Sequence, residues 1–328
     1  MRANKLDSGA PSDCGTFIFT HPACLEHDPG PEHPERPERL RVVLDALRTP
    51  EFASLHWRIA PQATIADLQR VHDLEYLAKV EASIPAIGLW NLNADTIVSP
   101  GSRLAALHAA GAVCAAVDAV CAGEAKNAFC AVRPPGHHAE SRNALGFCIY
   151  NNLAIGAQRA RHEHGIGRIA IVDFDAHHGN GAQNIFWGDR DVFVASLHQW
   201  PFDLPTGDVD ERGAYNNVLN LPLPAGTGSV AFRAAVSDLL AGRLREFKPE
   251  LIMVAAGFDA HRDDPLANLQ LDTEDYRWVA KLLLQIAREQ CEGRFVASLE
   301  GGYELKSLRA SVTAFVQAMA ERDEKTDR

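Results

Sequence analysis

The run Asp173-Phe174-Asp175-Ala176-His177-His178-Gly179-Asn180-Gly181 places two carboxylates and two imidazoles within six residues, where the apolar stretch Arg168-Ile169-Ala170-Ile171-Val172 gives way to glycines. In an extended chain alternate residues share a face, so Asp173, Asp175 and His177 point one way while strand geometry lasts. Hard oxygen combined with imidazole nitrogen suits a catalytic divalent metal. Helix capping by the acids would explain one aspartate but not the set.

Three other apolar runs end in similar chemistry. Leu251-Ile252-Met253-Val254-Ala255-Ala256 leads into Gly257-Phe258-Asp259, and Phe295-Val296-Ala297-Ser298-Leu299 into Glu300-Gly301-Gly302-Tyr303. Ala128–Val132 leads into Arg133-Pro134-Pro135-Gly136-His137-His138. Asp175, His177 and Asp259 supply three protein ligands and leave positions open for water and substrate. His137 and His138 offer a base for that water and an acid for a leaving group. Tyr303, after two glycines, can donate its hydroxyl to a developing oxyanion. Together these groups describe metal-assisted hydrolysis of an amide or related acyl bond.

Elements must bring them together. Strands are expected at Thr16–Thr20, Ala128–Val132, Ile169–Phe174, Val192–Leu197, Leu251–Ala255 and Phe295–Leu299. Most lack polar alternation, as strands buried on both faces do. Helices are expected at Pro37–Leu47, with Leu40, Val43, Leu44 and Leu47 on one stripe, and at Ser102–Cys121, Val230–Phe247 and Tyr276–Cys291. Strands alternating with helices imply an α/β fold whose central, mainly parallel sheet is covered on both faces. Ligands of such sheets collect at the carboxyl ends of the strands, where the conspicuous residues lie.

The bulk composition excludes some functions. A net charge of −11 over 328 residues argues against direct nucleic-acid or anionic-membrane binding. Seven scattered cysteines without a C-x-x-C pair indicate neither a disulfide framework nor a thiolate zinc site. No signal peptide opens the chain and no apolar run approaches the roughly 20 residues of a membrane span, so a cytoplasmic location is expected. Residues 1–14 and 321–328 are expected to be flexible.

Arg133–Glu140, Gly146-Phe147-Cys148, Asp173–Gly181, Gly257–Pro265 and Glu300–Tyr303 resemble, in order, the motifs of the histone deacetylase superfamily. The resemblance spans residues 15–320 and implies one arginase/deacetylase-like α/β domain. It implies zinc, or Fe²⁺, at Asp175, His177 and Asp259, with Tyr303 polarising the acyl carbonyl. His138 would be general base and then acid, and His137 would tune the electrostatics. Their partners would be Asp173 behind His137 and Asn180 behind His138. Asn180, together with Arg-Pro-Pro-Gly-His-His, resembles the class II branch. The family also implies a structural K⁺ bound by main-chain oxygens at Asp173, Asp175, His177, Ser196 and Leu197, and a second near Phe186, Asp189 and Val192. Gly146, Phe147, Leu204 and Leu266 would line the substrate tunnel, and Arg36 an inner product-release channel.

The expected activity is removal of acetyl or other short acyl groups from lysine side chains or related N-acyl amines. An acetylpolyamine amidohydrolase is the second reading; Leu266 stands where such an enzyme would carry an acidic gatekeeper. A non-catalytic acyl-lysine-binding module is a third, but ligands, tandem histidines and tyrosine are all present. A homo-oligomer is compatible with these features.

Overall fold

A computed structural model describes residues 15–321; the segments expected to be flexible lie outside them apart from Glu321. The strands are β1 Thr16–Thr20, β2 His56–Ile59, β3 Trp90–Asn91, β4 Ile97–Val98, β5 Asn127–Cys130, β6 Ile169–Asp173, β7 Val192–Gln199, β8 Val218–Leu223, β9 Leu251–Ala256 and β10 Phe295–Leu299. Eight of them form one sheet in the order β2-β1-β5-β10-β9-β6-β7-β8, every neighbouring pair parallel. β3 and β4 make a short antiparallel hairpin.

The six expected strands are all present, within one or two residues at their ends. Both edge strands were missed. β2 (His-Trp-Arg-Ile) is mostly exposed and β8 alternates in burial, so neither reads as the continuous apolar run of a strand covered on two faces.

The helices are α1 Pro37–Leu47, α2 Ile65–Gln69, α3 Leu74–Ser83, α4 Ser102–Cys121, α5 Asn152–His164, α6 Asn180–Phe186, α7 Ser229–Ala234, α8 Ala241–Phe247, α9 Thr273–Gln290 and α10 Leu305–Ala320. A π-helical turn, Ala235–Leu240, joins α7 to α8 along the stretch expected as one helix. The layers follow from strand alternation. Phe129 of β5 packs on Phe315 of α10, whereas the next residue, Cys130, faces Cys114 of α4. Helices therefore cover both faces, α9 and α10 packing together on one and α4 and α5 on the other.

By length and composition α4 is apolar enough to cross a membrane, which corrects the expectation that no run reaches that size. It is mostly buried here, against β1, β5 and β10. Its small residues serve close packing: a side chain at Gly111 would collide with the backbone of Pro61–Ala63.

The chain passes from β5 to β6 over a gap two strands wide, and β9 and β10 return later to fill it. The five consecutive strands β5, β10, β9, β6 and β7 thus present their carboxyl ends side by side.

Candidate active site

Beyond β6 the chain turns tightly because its own carboxylates accept backbone hydrogen bonds. Asp173 Oδ1 accepts from Asp175 N (3.0 Å), and Asp175 Oδ1 from His177 N (2.9 Å). Neighbouring loops are tied in the same way: Asp259 Oδ1 accepts from Ala176 N (2.8 Å) and Asp175 Oδ2 from Gly301 N (2.8 Å). These ties bring one donor atom each of Asp175, His177 and Asp259 within 4.8 Å of one another. His177 Nδ1 lies 3.0 Å from Asp175 Oδ1 and 3.0 Å from Asp259 Oδ2. So close an approach needs residues without side chains around it. A Cβ at Gly257 would collide with Asp175, and one at Gly301 with both aspartates.

Both carboxylates are fully buried. Burial and the charge of Asp175 push Asp259 up to about 7 despite the opposing His177. Two crowded carboxylates and one imidazole nitrogen form a donor set that a divalent cation would relieve of repulsion, and the residues present fit such an ion.

The paired histidines differ in partner and charge. His137 Nδ1 bonds Asp173 Oδ2 at 2.9 Å. Burial alone would lower its pKa, but Asp175 and Asp173 prevail and push it up to about 10. His138 Nδ1 meets Asn180 Oδ1 at 2.7 Å. The amide orientation is set by its other end, where Asn180 Nδ2 donates to Glu140 Oε1 (3.0 Å) and His138 O (3.4 Å). His138 therefore donates from Nδ1 and keeps Nε2 as a lone-pair base. Burial, then His137 and His177, hold its pKa well below the usual imidazole value.

An Asn180→Asp variant should give His138 an anionic partner and raise its pKa. Because a general base works only when deprotonated, the acidic limb of kcat/KM should then move to higher pH, by about 1–3 units. A pH–rate profile checks this; an unmoved limb would remove His138 from the role of base.

Tyr303 follows β10 through Gly301 and Gly302. Its backbone N–H donates to Asp264 Oδ2 at 2.6 Å, and Asp264 also accepts from Glu304 N (3.2 Å) and Leu266 N (3.0 Å). The second aspartate of Asp-Asp-Pro thus fixes the loop that carries the phenol. Burial, with Asp259 and Asp175, pushes the Tyr303 hydroxyl up against the pull of Arg39, so it stays a proton donor.

The arginine behind this loop is Arg39, not Arg36. Arg39 is fully buried, donates to the carbonyls of Gly302 and Glu300, and lies 4.7 Å from the centre of the Tyr303 ring. Arg36 instead lines a depression with Glu26, Asp28 and Glu38.

A cavity of about 230 Å³ opens onto these groups, lined by His138, His177, Tyr303 and the expected Gly146, Phe147, Leu204 and Leu266. Phe147 has φ +68°, a conformation rare for a residue with a side chain, in the loop that also carries Gly146 at φ +52°. Its ring sits edge-on to Tyr303 (5.9 Å between centroids) and to His33 (4.6 Å). Phe202, Asp203 and Asp95 also line the cavity and were not singled out in the sequence. Outside the cavity, His21 stacks on His108 and His27 bonds Ser102.

Of the residues implied as monovalent-cation ligands, Ser196 Oγ accepts from Gly179 N (3.3 Å) and meets His198 Nδ1 (2.9 Å) directly behind the triad, and Leu197 is buried beside it. The carbonyls of Phe186, Asp189 and Val192 do converge. They meet on Asn217 Nδ2, at 2.8, 3.1 and 3.0 Å respectively, so an amide already supplies donors where a second cation was expected.

A parallel α/β sheet gathers at its strand ends an Asp-His-Asp triad, two oppositely tuned imidazoles and a phenol, of which His138, His177 and Tyr303 line one pocket, an arrangement suited to hydrolysis of amide-type bonds. The family described as histone deacetylase domain matches residues 33–319, and the chain belongs to it. It is 38% identical to "Histone deacetylase-like amidohydrolase" of Pseudomonas aeruginosa, over 88% of this chain and 81% of that protein. It is 38% identical to "Histone deacetylase 14, chloroplastic" of Arabidopsis thaliana, over 94% of this chain and 77% of the relative. Identity to human "Polyamine deacetylase HDAC10" is 39%, over 87% of this chain and 44% of that protein. The crystal structure of the HDA15 HD domain superposes with a TM-score of 0.89 at 33% identity, covering 93% of this chain and 88% of that one. The protein is a deacetylase-type enzyme with the arginase/deacetylase fold.

Proposed function

We propose that this enzyme is a zinc-dependent amidohydrolase that removes acetyl or other short acyl groups from lysine side chains and related N-acyl amines. The observation that carries the reading is that His138, His177 and Tyr303 face one cavity, with Asp175 and Asp259 beside His177. A divalent ion held by Asp175, His177 and Asp259 would supply Lewis acidity, acidifying water and polarising the acyl carbonyl. His138 Nε2 takes a proton from the attacking water and returns it to the departing amine. His137, kept cationic by Asp173 and Asp175, stabilises negative charge without giving up its proton. Tyr303 donates its hydroxyl to the oxyanion. Phe147, Phe202 and Leu204 form apolar walls that exclude water from the acyl-bearing chain. K⁺ belongs to the set Asp173, Asp175, His177, Ser196 and Leu197, where main-chain oxygens would offset the charge of the loop.

A second reading has its own observation. Asp95 and Asp203 are the acidic residues lining the pocket besides the catalytic groups, and no Lys or Arg among the described residues lines it. Two carboxylates at the pocket wall, one of them 3.6 Å from His177 Nε2, favour an N-acyl amine that carries a further ammonium group, as an acetylated polyamine does.

Amine release from an acetyl-lysine peptide and from a monoacetylated polyamine, before and after chelation and with zinc restored, tests both. Turnover lost on chelation and regained with zinc is expected, and the substrate with the higher kcat/KM names the class. Turnover indifferent to chelation overturns the metal-dependent reading.

A further inference from the structure

Glu300 has no part in the chemistry above, yet it is fully buried at the end of β10, immediately before the Tyr303 loop. Its Oε2 accepts two successive backbone N–H groups, from Gly136 (2.6 Å) and His137 (3.1 Å), on the loop that carries both histidines. Its Oε1 has no hydrogen-bond partner among the described residues. A carboxylate oxygen buried unpaired costs free energy, so the group is held here by what its other oxygen does. The side chains of that loop are oriented elsewhere, by Asp173 and Asn180, and its carbonyl side is held by Gly181 N donating to His137 O at 3.0 Å. Glu300 supplies the matching hold on the donor side.

The same residue is tied to the opposite wall of the site. Its carbonyl accepts from Arg39, the next residue's N–H holds Asp175, and Tyr303 follows three residues on. One short segment therefore grips the histidine loop with a side chain and carries the oxyanion donor on its backbone.

We infer that Glu300 is a positioning residue that fixes the distance between the His138 base and the Tyr303 hydroxyl by clamping the Gly136–His137 amides to the end of β10. This rests on the hydrolase reading for its rate arm only. The clamp depends on reach, not on charge, and two substitutions separate these. Glu300→Gln keeps a carbonyl oxygen at the same reach and removes the charge. Glu300→Asp keeps the charge and withdraws it by about 1.5 Å, one carbon–carbon bond.

The expected result is kcat within about threefold of the parent for Glu300→Gln. For Glu300→Asp, kcat falls at least 30-fold, with KM within about threefold and zinc per chain unchanged, since a misplacement of about 1 Å can cost about 10²-fold. Nitrogen chemical shifts of the His138 imidazole in metal-free protein provide an arm that needs no turnover: shifted in Glu300→Asp, parental in Glu300→Gln. A Gln variant as slow as the Asp variant, or an Asp variant as fast as the parent, overturns the clamp. A parent inactive on every acyl amine overturns the hydrolase reading instead, and leaves the NMR comparison to judge the clamp alone. Urea unfolding of both variants excludes misfolding as the source of a lost rate.

Discussion

Tyr303→Phe lowers kcat by about 10²–10³ while metal content and KM stay near those of the parent, because one oxyanion donor is usually worth that much. The substitution removes a single oxygen. The ring keeps its place over Arg39 and against Phe147, and the backbone stays tied to Asp264. The phenol is suited to donate because burial, with Asp259 and Asp175 nearby, makes its proton hard to lose. Steady-state kinetics with zinc analysis checks the split. A variant with parental kcat would assign oxyanion stabilisation elsewhere in the pocket, and a loss confined to KM would make Tyr303 a binding group.

The largest expected effect on stability comes from a residue with no catalytic role. Glu35 lies between two fully buried guanidinium groups: it accepts from Arg39 Nη1 at 2.9 Å and pairs with Arg133 through both oxygens. Arg133 also donates to the carbonyls of Cys24 and His27, both at 3.0 Å. Glu35→Ala leaves two buried cations without their anion and should cost about 3–5 kcal/mol. The pH dependence has a definite sign. Burial opposes ionisation of Glu35, but Arg133, then Arg39, outweigh it and hold the pKa down to about 2, below the ordinary 4.5. A depressed pKa contributes stability that is present above about 4.5 and is lost as pH falls towards 2. Urea unfolding should therefore show a wide gap between parent and variant at pH 7 that narrows below pH 4. A gap independent of pH would mean that lost packing, not lost charge, is responsible.

The sequence was most legible where function and fold coincide. Apolar strands covered on both faces leave an unbroken signal, and the metal-competent residues begin where that signal stops. Asp175, His177, Asp259, the histidines and Tyr303 could thus be picked out together. Edge strands lack the signal, so β2 and β8 were invisible. The resemblance implied Arg36, three residues before the arginine that lies behind the Tyr303 ring. Pro37 forces the residue before it into an extended conformation, and Arg36 has φ −123° and ψ 159°, outside the helical turn. Only Arg39 rides the buried face. Asp95, Phe202 and Asp203 had no signal of any kind, since loop residues become neighbours only through folding. Glu300 stood inside a recognised motif, but which amides its carboxylate meets depends on β5 lying next to β10.

That adjacency has a consequence for how the enzyme can diversify. The reacting groups come from the ends of the central strands and are cross-braced by buried carboxylates. Much of the cavity wall comes from residues 199–206, at and just beyond the end of β7. Exchange of Leu204 would reshape what enters, whereas Phe202 and Asp203 also touch His177, with ring centroids 5.3 Å apart and Asp203 Oδ2 3.6 Å from its Nε2.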